Sequence, residues 1–461
     1  MSKSRTRTTT TESLGGQKIT WKYHVGNGKV ELVGVPKDVS GELIIPSELG
    51  GFPVECIGNK AFKNCQNITR VVIPHGVTMI GDEAFAGCHS LVDVEIPNSV
   101  DILGDMAFSG CTCLQNIVVP SIVECLGDGL FEGCLALRHV TIQEGIKQIG
   151  NGVFRDCREL TELTIPQSIV CIEEEAFSGC QRLIDMTTRP GMQLVDGWVI
   201  GCDKTITGAV DLTGIRGIGS GTFEGCEGLT SVFIPDGVKC IGYNTFSECV
   251  SLESVRIPDS VICIEVGVFD DCDKLVDTTT IPGTHLVDGW VVGCDESVSG
   301  FLDLKGVRGI CDSAFSECNG LEGVVIAGSV KSIGSNAFAD CHNLASVTIG
   351  DGVKDIGLMS FCDCQKLKSI EIPDSVTTTD IGVFCDCKGM TSVKLGKGLT
   401  KIEDSLFESC SGLERVFIPD SVKSIGAHAF MECSALTEVS ISQNTKVDEL
   451  AFDDWSVVRR R

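Results

Sequence analysis

Aromatic residues other than phenylalanine are scarce in this chain of 461 residues, which has two Tyr and four Trp against twenty Phe. Partner-binding hot spots favour Trp, Tyr and Arg, so a tyrosine-rich binding patch is excluded. Basic residues are outnumbered, 37 Lys and Arg against 63 Asp and Glu, for a formal net charge of −26. That charge repels phosphate, which argues against nucleic acid as a partner and against adsorption to anionic lipid. No stretch of eighteen apolar residues occurs, so no membrane span is expected. Residues 1–11 are rich in Ser and Thr, carry Lys3, Arg5 and Arg7, and lack the apolar core of a secretory signal. A disordered tail over 1–17 is the expectation, with a short transit peptide as the alternative because no acid precedes Glu12. On these grounds the location leans cytoplasmic.

Catalytic signatures are missing as well. There is no H-E-x-x-H, no Gly-rich phosphate loop and no G-x-S-x-G, and the seven histidines are scattered from His24 to His428. The run Glu173-Glu174-Glu175 occupies a slot where other segments also carry acid. No enzyme, cofactor or metal is expected. The acids recur at slots such as Gly81-Asp82-Glu83 and Pro258-Asp259-Ser260. Spread in this way they read as solubilising charge, in preference to a patch for a basic partner or for calcium.

What the chain does have is a period. Phe62, Phe85, Phe108, Phe131, Phe154 and Phe177 stand 23 residues apart, and a cysteine follows each three positions later, from Cys65 to Cys180. The register resumes at Phe223/Cys226, Phe246/Cys249 and Phe269/Cys272, then runs from Phe315/Cys318 to Phe430/Cys433. Within the unit at 77–99, Leu91, Val94 and Ile96 suit a short strand buried on one face, which Pro97 ends because proline cannot donate to a ladder. Val77 and Ile80 begin a second short extended segment, and Ala84, Phe85 and Cys88 turn the chain inward. Each unit is too poor in apolar residues to fold alone, so units must stack and share one core. The expected fold is a mainly β repeat solenoid, a right-handed leucine-rich-repeat-type stack of about seventeen coils with a parallel sheet face. At ~4.8 Å per coil it would be roughly 80 Å long.

The unit V-x-x-I-G-x-x-A-F-x-G-C-x-x-L-x-x-V-x-I-P-x-S resembles the BspA-like leucine-rich repeat family over about 54–452. The resemblance implies a surface location and a role in adhesion or in binding host and matrix proteins. The chain departs from that pattern in showing no leader, anchor or span.

Residues 18–53 fall outside the repeat. Alternation at Ile19, Trp21, Tyr23 and Val25, then Gly26-Asn27-Gly28, then Val30 and Leu32, predicts a β-hairpin cap. The solenoid is placed at 54–455 and a solvated basic tail at 456–461, with Val447, Leu450, Ala451 and Phe452 imitating a last coil. Irregular coils are expected near 186–219 and 278–311. Their cores, LVDGWVIGCDKTITGAVDLTGIRGIG from Leu194 and LVDGWVVGCDESVSGFLDLKGVRGIC from Leu286, lie 92 residues apart and suggest a duplicated four-coil block. Either Trp198 and Trp290 plug a structural gap, or they join Asp196 and Asp288 as anchors for a partner.

The fifteen cysteines of the column after Phe read as packed, reduced small hydrophobes, a state suited to a reducing compartment. Cys362, Cys364, Cys385 and Cys387 form a possible zinc quartet, disfavoured because two of them belong to the inward column. A Cys362–Cys385 disulfide is the alternative in an oxidising compartment. On the outward strand face the residues flanking each Val are mixed, and only Phe233, Arg256, Arg415 and Phe417 have hot-spot character. The functional expectation is a non-catalytic, monomeric scaffold that binds a protein or glycan along its sheet. The alternative is a secreted or cell-surface adhesin.

Overall fold

A computed structural model of the chain describes residues 6–12 and 17–461. The chain divides into two compact units, Met1–Ile206 with Gly214–Phe223, and Thr207–Thr213 with Glu224–Arg461. It is a β-solenoid of about nineteen coils of roughly 23 residues, with parallel sheets and almost no helix. No helix among the described residues is long and apolar enough to cross a membrane.

In the first unit the L-x-x-V-x-I segments form the predicted strands. Asn116–Val119, His139–Ile142 and Glu162–Thr164 pair in parallel, so that Ile117, Val140 and Leu163 lie one above the next. Alternation turns Ile117 and Val140 inward and leaves Asn116, Val118, His139 and Thr141 outward. A second column of two-residue strands, Cys125–Leu126, Gln148–Ile149 and Cys171–Ile172, stacks in the same register. The Phe corner is also a ladder. The amides of Lys60, Phe62 and Asn64 donate to the carbonyls of Asp82, Ala84 and Ala86 in the next coil at 2.7–2.8 Å.

Inside that corner Phe62, Phe85, Phe108, Phe131, Phe154 and Phe177 stack with ring centroids 4.9–5.9 Å apart. The second unit repeats the stack from Phe246 to Phe269 and from Phe315 to Phe452. Each such ring is buried and contributes about 1.5–3 kcal/mol by its removal from water.

The cysteine column has a second job that its burial alone does not reveal. The thiols of Cys88, Cys111, Cys134, Cys157 and Cys180 donate to the carbonyl of the Phe one coil earlier at 3.0–3.4 Å. In the second unit Cys272, Cys341, Cys364, Cys387, Cys410 and Cys433 do the same at 3.0–3.3 Å. Burial pushes these thiols up, Cys88, Cys180, Cys341 and Cys433 to about 12. They are therefore protonated donors and poor nucleophiles.

The acids after the corner glycine are likewise more than solubilising charge. Asn59, Asp82, Asp105 and Asp128 each accept, through the side-chain oxygen, the backbone N–H of the residue 23 positions on, at 2.8–3.1 Å. This rung supports an amide at the turn where the strand ladder has ended.

Both ends extend the stack beyond the seventeen coils expected. Within 18–53, Lys18–Gly26 pairs antiparallel with Lys29–Gly34, with Asn27 and Gly28 both left-handed. However, Lys29–Gly34 also pairs in parallel with Phe52–Ile57, and Ser40–Ile44 with Asn67–Val72, so this segment is itself a coil. It carries neither the Phe nor the Cys of the column, which is why a search on those residues misses it. The disordered tail expected over 1–17 is corrected within the described residues. Arg7–Glu12 is an antiparallel strand on Lys18–Gly26, with Thr9 Oγ1 3.0 Å from Tyr23 OH and Thr11 Oγ1 accepting from Trp21 Nε1 at 2.8 Å. For residues 1–5 and 13–16 the expectation lies outside the described residues.

At the other end Arg459, Arg460 and Arg461 are exposed, yet the tail continues the stack. Val458–Arg460 pairs in parallel with Glu438–Ile441, Phe452 stacks on Phe430 at 5.1 Å, and Arg461 Nη2 donates to Ile418 O at 2.6 Å. The backbone continues the ladder, and the arginine charges sit on carbonyls that would otherwise face water.

Candidate partner-binding face

In the second unit the strands Leu229–Phe233 and Ser254–Arg256 place Phe233 directly beside Arg256. The guanidinium of Arg256 lies 5.4 Å from the centroid of the Phe233 ring, which is 38% exposed. Arg415 and Phe417 point outward from the strand Arg415–Phe417, with Phe417 57% exposed. Sequence reasoning missed the group that completes this second patch. The guanidinium of Arg461 sits 4.0 Å from the Phe417 centroid and pairs with Asp420 at 3.0 Å. The two patches are not brought together. They lie eight steps of the repeat apart, and Ser346–Ile349, Ser369–Glu371 and Ser392–Lys394 occupy coils between them.

A third aromatic on the same face also escaped the sequence reading. Phe301 is 77% exposed on the strand Gly300–Asp303 and lies across its strand neighbour Gly323. The signal was present in Gly300-Phe301-Leu302-Asp303, where only Leu302 turns inward. Val325, outward and exposed on the adjoining strand, extends this apolar area.

The four Asp-Gly-Trp candidates are placed differently. In the first unit Met192–Val195 and Trp198–Cys202 form an antiparallel hairpin around Asp196 (φ 45°) and Gly197 (φ 79°). Asp196 Oδ2 accepts from Ile165 N at 2.8 Å and from Arg216 Nη1 at 2.6 Å, while Arg216 Nη2 donates to the Ile165 and Pro166 carbonyls. Trp198 is only 4% exposed and covers Gly217, where an added Cβ would come within 2.4 Å of the indole. The second unit repeats the arrangement. Asp288 Oδ2 accepts from Ile257 N at 2.8 Å and from Arg308 Nη1 at 3.0 Å, and Trp290, 2% exposed, covers Gly309. Asp196, Trp198, Asp288 and Trp290 are thus spent on holding the hairpins, and the expectation of a partner anchor there is corrected. Burial of the indoles removes the contact area an anchor needs.

The second hairpin also interrupts the Phe stack, because Val292 stands one period after Phe269. A cavity of about 420 Å³ opens there, lined by Phe269 and Val292 on its apolar side and by Glu265, Asp270, Asp273 and His285 on its polar side. His285 Nε2 is held by Asp295 at 2.8 Å.

The quartet of Cys362, Cys364, Cys385 and Cys387 does not converge. Cys364 and Cys387 point inward and donate to the Phe338 and Phe361 carbonyls at 3.3 and 3.1 Å. Cys362, Cys385 and Asp386 have ligand atoms within 4.8 Å of one another. The hydrogen bond between the Cys362 and Cys385 thiols lowers Cys362 and raises Cys385.

The family comparison agrees with the fold. The profile of the family described as BspA type leucine rich repeat region, in six copies, matches residues 54–194, 203–287, 302–410 and 354–458. Among solved structures, the chain is similar to a leucine rich cell surface protein from Faecalibacterium prausnitzii at 20% identity and TM-score 0.27, over 98% of this chain and 94% of that one. It is similar to a leucine-rich repeat protein from Bacteroides ovatus at 21% identity and TM-score 0.29, over 96% and 98%. It is also similar to the pneumococcal vaccine antigen PcpA at 13% identity and TM-score 0.31, over 98% and 93%. No curated protein matches the chain.

Proposed function

The chain belongs to the BspA-type leucine-rich repeat family, and on that premise we propose that it is a non-catalytic scaffold holding a protein partner, or a glycan, against its outward strand face. The observation that carries this reading is the pairing of exposed phenylalanine with guanidinium on that face, above all Phe417 under Arg461. An aromatic ring already covered on one side by a cation is held in place before a partner arrives, which lowers the ordering cost of binding. Phe301 offers the largest unprotected ring on the same face, and large exposed apolar groups mark interaction sites.

The test uses the full chain with a photo-crosslinking residue at 301 or 417, against control positions at the exposed turns Met106 and Tyr243. The expected outcome is one partner captured from both face positions and from neither control. Replacing Phe233, Arg256, Phe301, Arg415 and Phe417 together by alanine should weaken capture at least tenfold, equivalent to about 1.4 kcal/mol. Undiminished capture by that variant would refute the face.

A further inference from the structure

One pair of cysteines stands apart from the column pattern. Cys294 ends the hairpin strand Trp290–Cys294, and Cys318 is the column cysteine of the coil that follows. Their sulfurs lie 2.7 Å apart, whereas the other column thiols described above aim at carbonyl oxygens. A disulfide needs S–S of ~2.05 Å, and the two sulfurs already lie 2.7 Å apart, so closure takes only a small movement. Both residues are half-buried, so a small oxidant reaches them, while most column cysteines are fully buried.

We propose that Cys294 and Cys318 are the chain's site of reversible oxidative modification, closing a disulfide when a peroxide oxidises them. The hydrogen bond between the two thiols, in which either can donate, lowers Cys318 and raises Cys294, so the roles differ. Cys318 as thiolate attacks one peroxide oxygen; the O–O bond breaks, the leaving hydroxide takes up a proton as water, and Cys318 becomes the sulfenic acid. Cys294 then attacks that sulfur, the S–O bond breaks, and a second water leaves with the Cys294 proton. In sum two thiols and one hydrogen peroxide give one disulfide and two waters. The bond joins the hairpin to the coil above it, and a dithiol reductant reverses it.

The experiment treats the full chain with hydrogen peroxide, blocks remaining thiols with N-ethylmaleimide in denaturant, and maps linked peptides without reduction. The Cys294–Cys318 link should exceed every other cysteine pair at least tenfold and vanish on treatment with dithiothreitol. In C294S, dimedone should label Cys318 in its place. The wild-type map decides the matter even where the variant folds poorly. Both cysteines recovered fully alkylated after peroxide, or a dominant Cys362–Cys385 link, would overturn the assignment.

Discussion

Cys134 offers a way to separate the two reasons for a cysteine in each coil, apolar volume and hydrogen bonding. Its side chain is fully buried, and its thiol donates to Phe108 O at 3.3 Å. That carbonyl also accepts the amide of Cys111 at 3.2 Å, so losing the thiol does not strand it. Cys134→Ala therefore forfeits the transfer and packing of one sulfur and a weak hydrogen bond, about 1–2 kcal/mol in all. Cys134→Ser also removes the sulfur but adds a hydroxyl to a dry site. The shorter C–O bond draws its oxygen back from an acceptor already beyond the ~2.8 Å that a hydroxyl prefers. An unsatisfied buried hydroxyl costs a further 1–3 kcal/mol or so, giving about 2–4 kcal/mol. Urea unfolding followed by far-UV circular dichroism, with an unchanged slope, should rank wild type above alanine and alanine above serine. Serine equal to or better than alanine would show that hydrogen bonding, and not apolar packing, governs the column.

Two further outcomes follow from single residues. Burial pushes the Asp312 carboxyl up to about 6, although Ser335 N donates to its Oδ1 at 2.7 Å. Because the folded value is raised, stability falls as pH rises between about 4 and 6. Asp312→Asn keeps the acceptor and removes the charge, so it should stabilise by about 1–3 kcal/mol at pH 7 and by almost nothing at pH 4. Equal unfolding midpoints for the two proteins at pH 7 would contradict this. Gly309→Ala would set a Cβ within 2.3 Å of the Trp290 ring, so the indole must move, at about 1–3 kcal/mol. The measurement is tryptophan emission, which should shift to the red relative to wild type, together with a lowered thermal midpoint.

Most of the fold was legible because one set of residues repeats in phase, and period-2 alternation at Ile117, Val140 and their equivalents fixes which strand faces look inward. The end coils were illegible for a physical reason. The coil at 30–52 packs Leu32, Val39, Leu43 and Leu49 without the column Phe and Cys, and the strand Val458–Arg460 carries two exposed arginines. The Thr8–Thr11 run looked like a polar tail. Its β-branched residues suit an edge strand, and the hydroxyls of Thr9 and Thr11 meet Tyr23 and Trp21, which no local pattern announces. On the candidate face, Phe233 and Phe417 were legible from strand phase. Arg461 was not, since its neighbour lies 44 positions away in sequence, and Phe301 was masked by the hairpin that precedes it. Cysteine content was read as a sign of a reducing compartment. Burial protects most of the column, Cys318 apart, in either setting, so the column bears little on location.

The aspartate rung at Asp82, Asp105 and Asp128 has a consequence for how such a gene can change. Each carboxylate accepts a backbone N–H, a group that every residue except proline supplies, so the joint does not depend on which coil comes next. A recombination that inserts or removes whole 23-residue lengths makes a joint chemically equivalent to the one it replaces, while any other length sets carboxylates against the wrong groups. The hereditary variable is then a count of coils, and lineages can lengthen or shorten the face they present without first evolving a matching pair of substitutions.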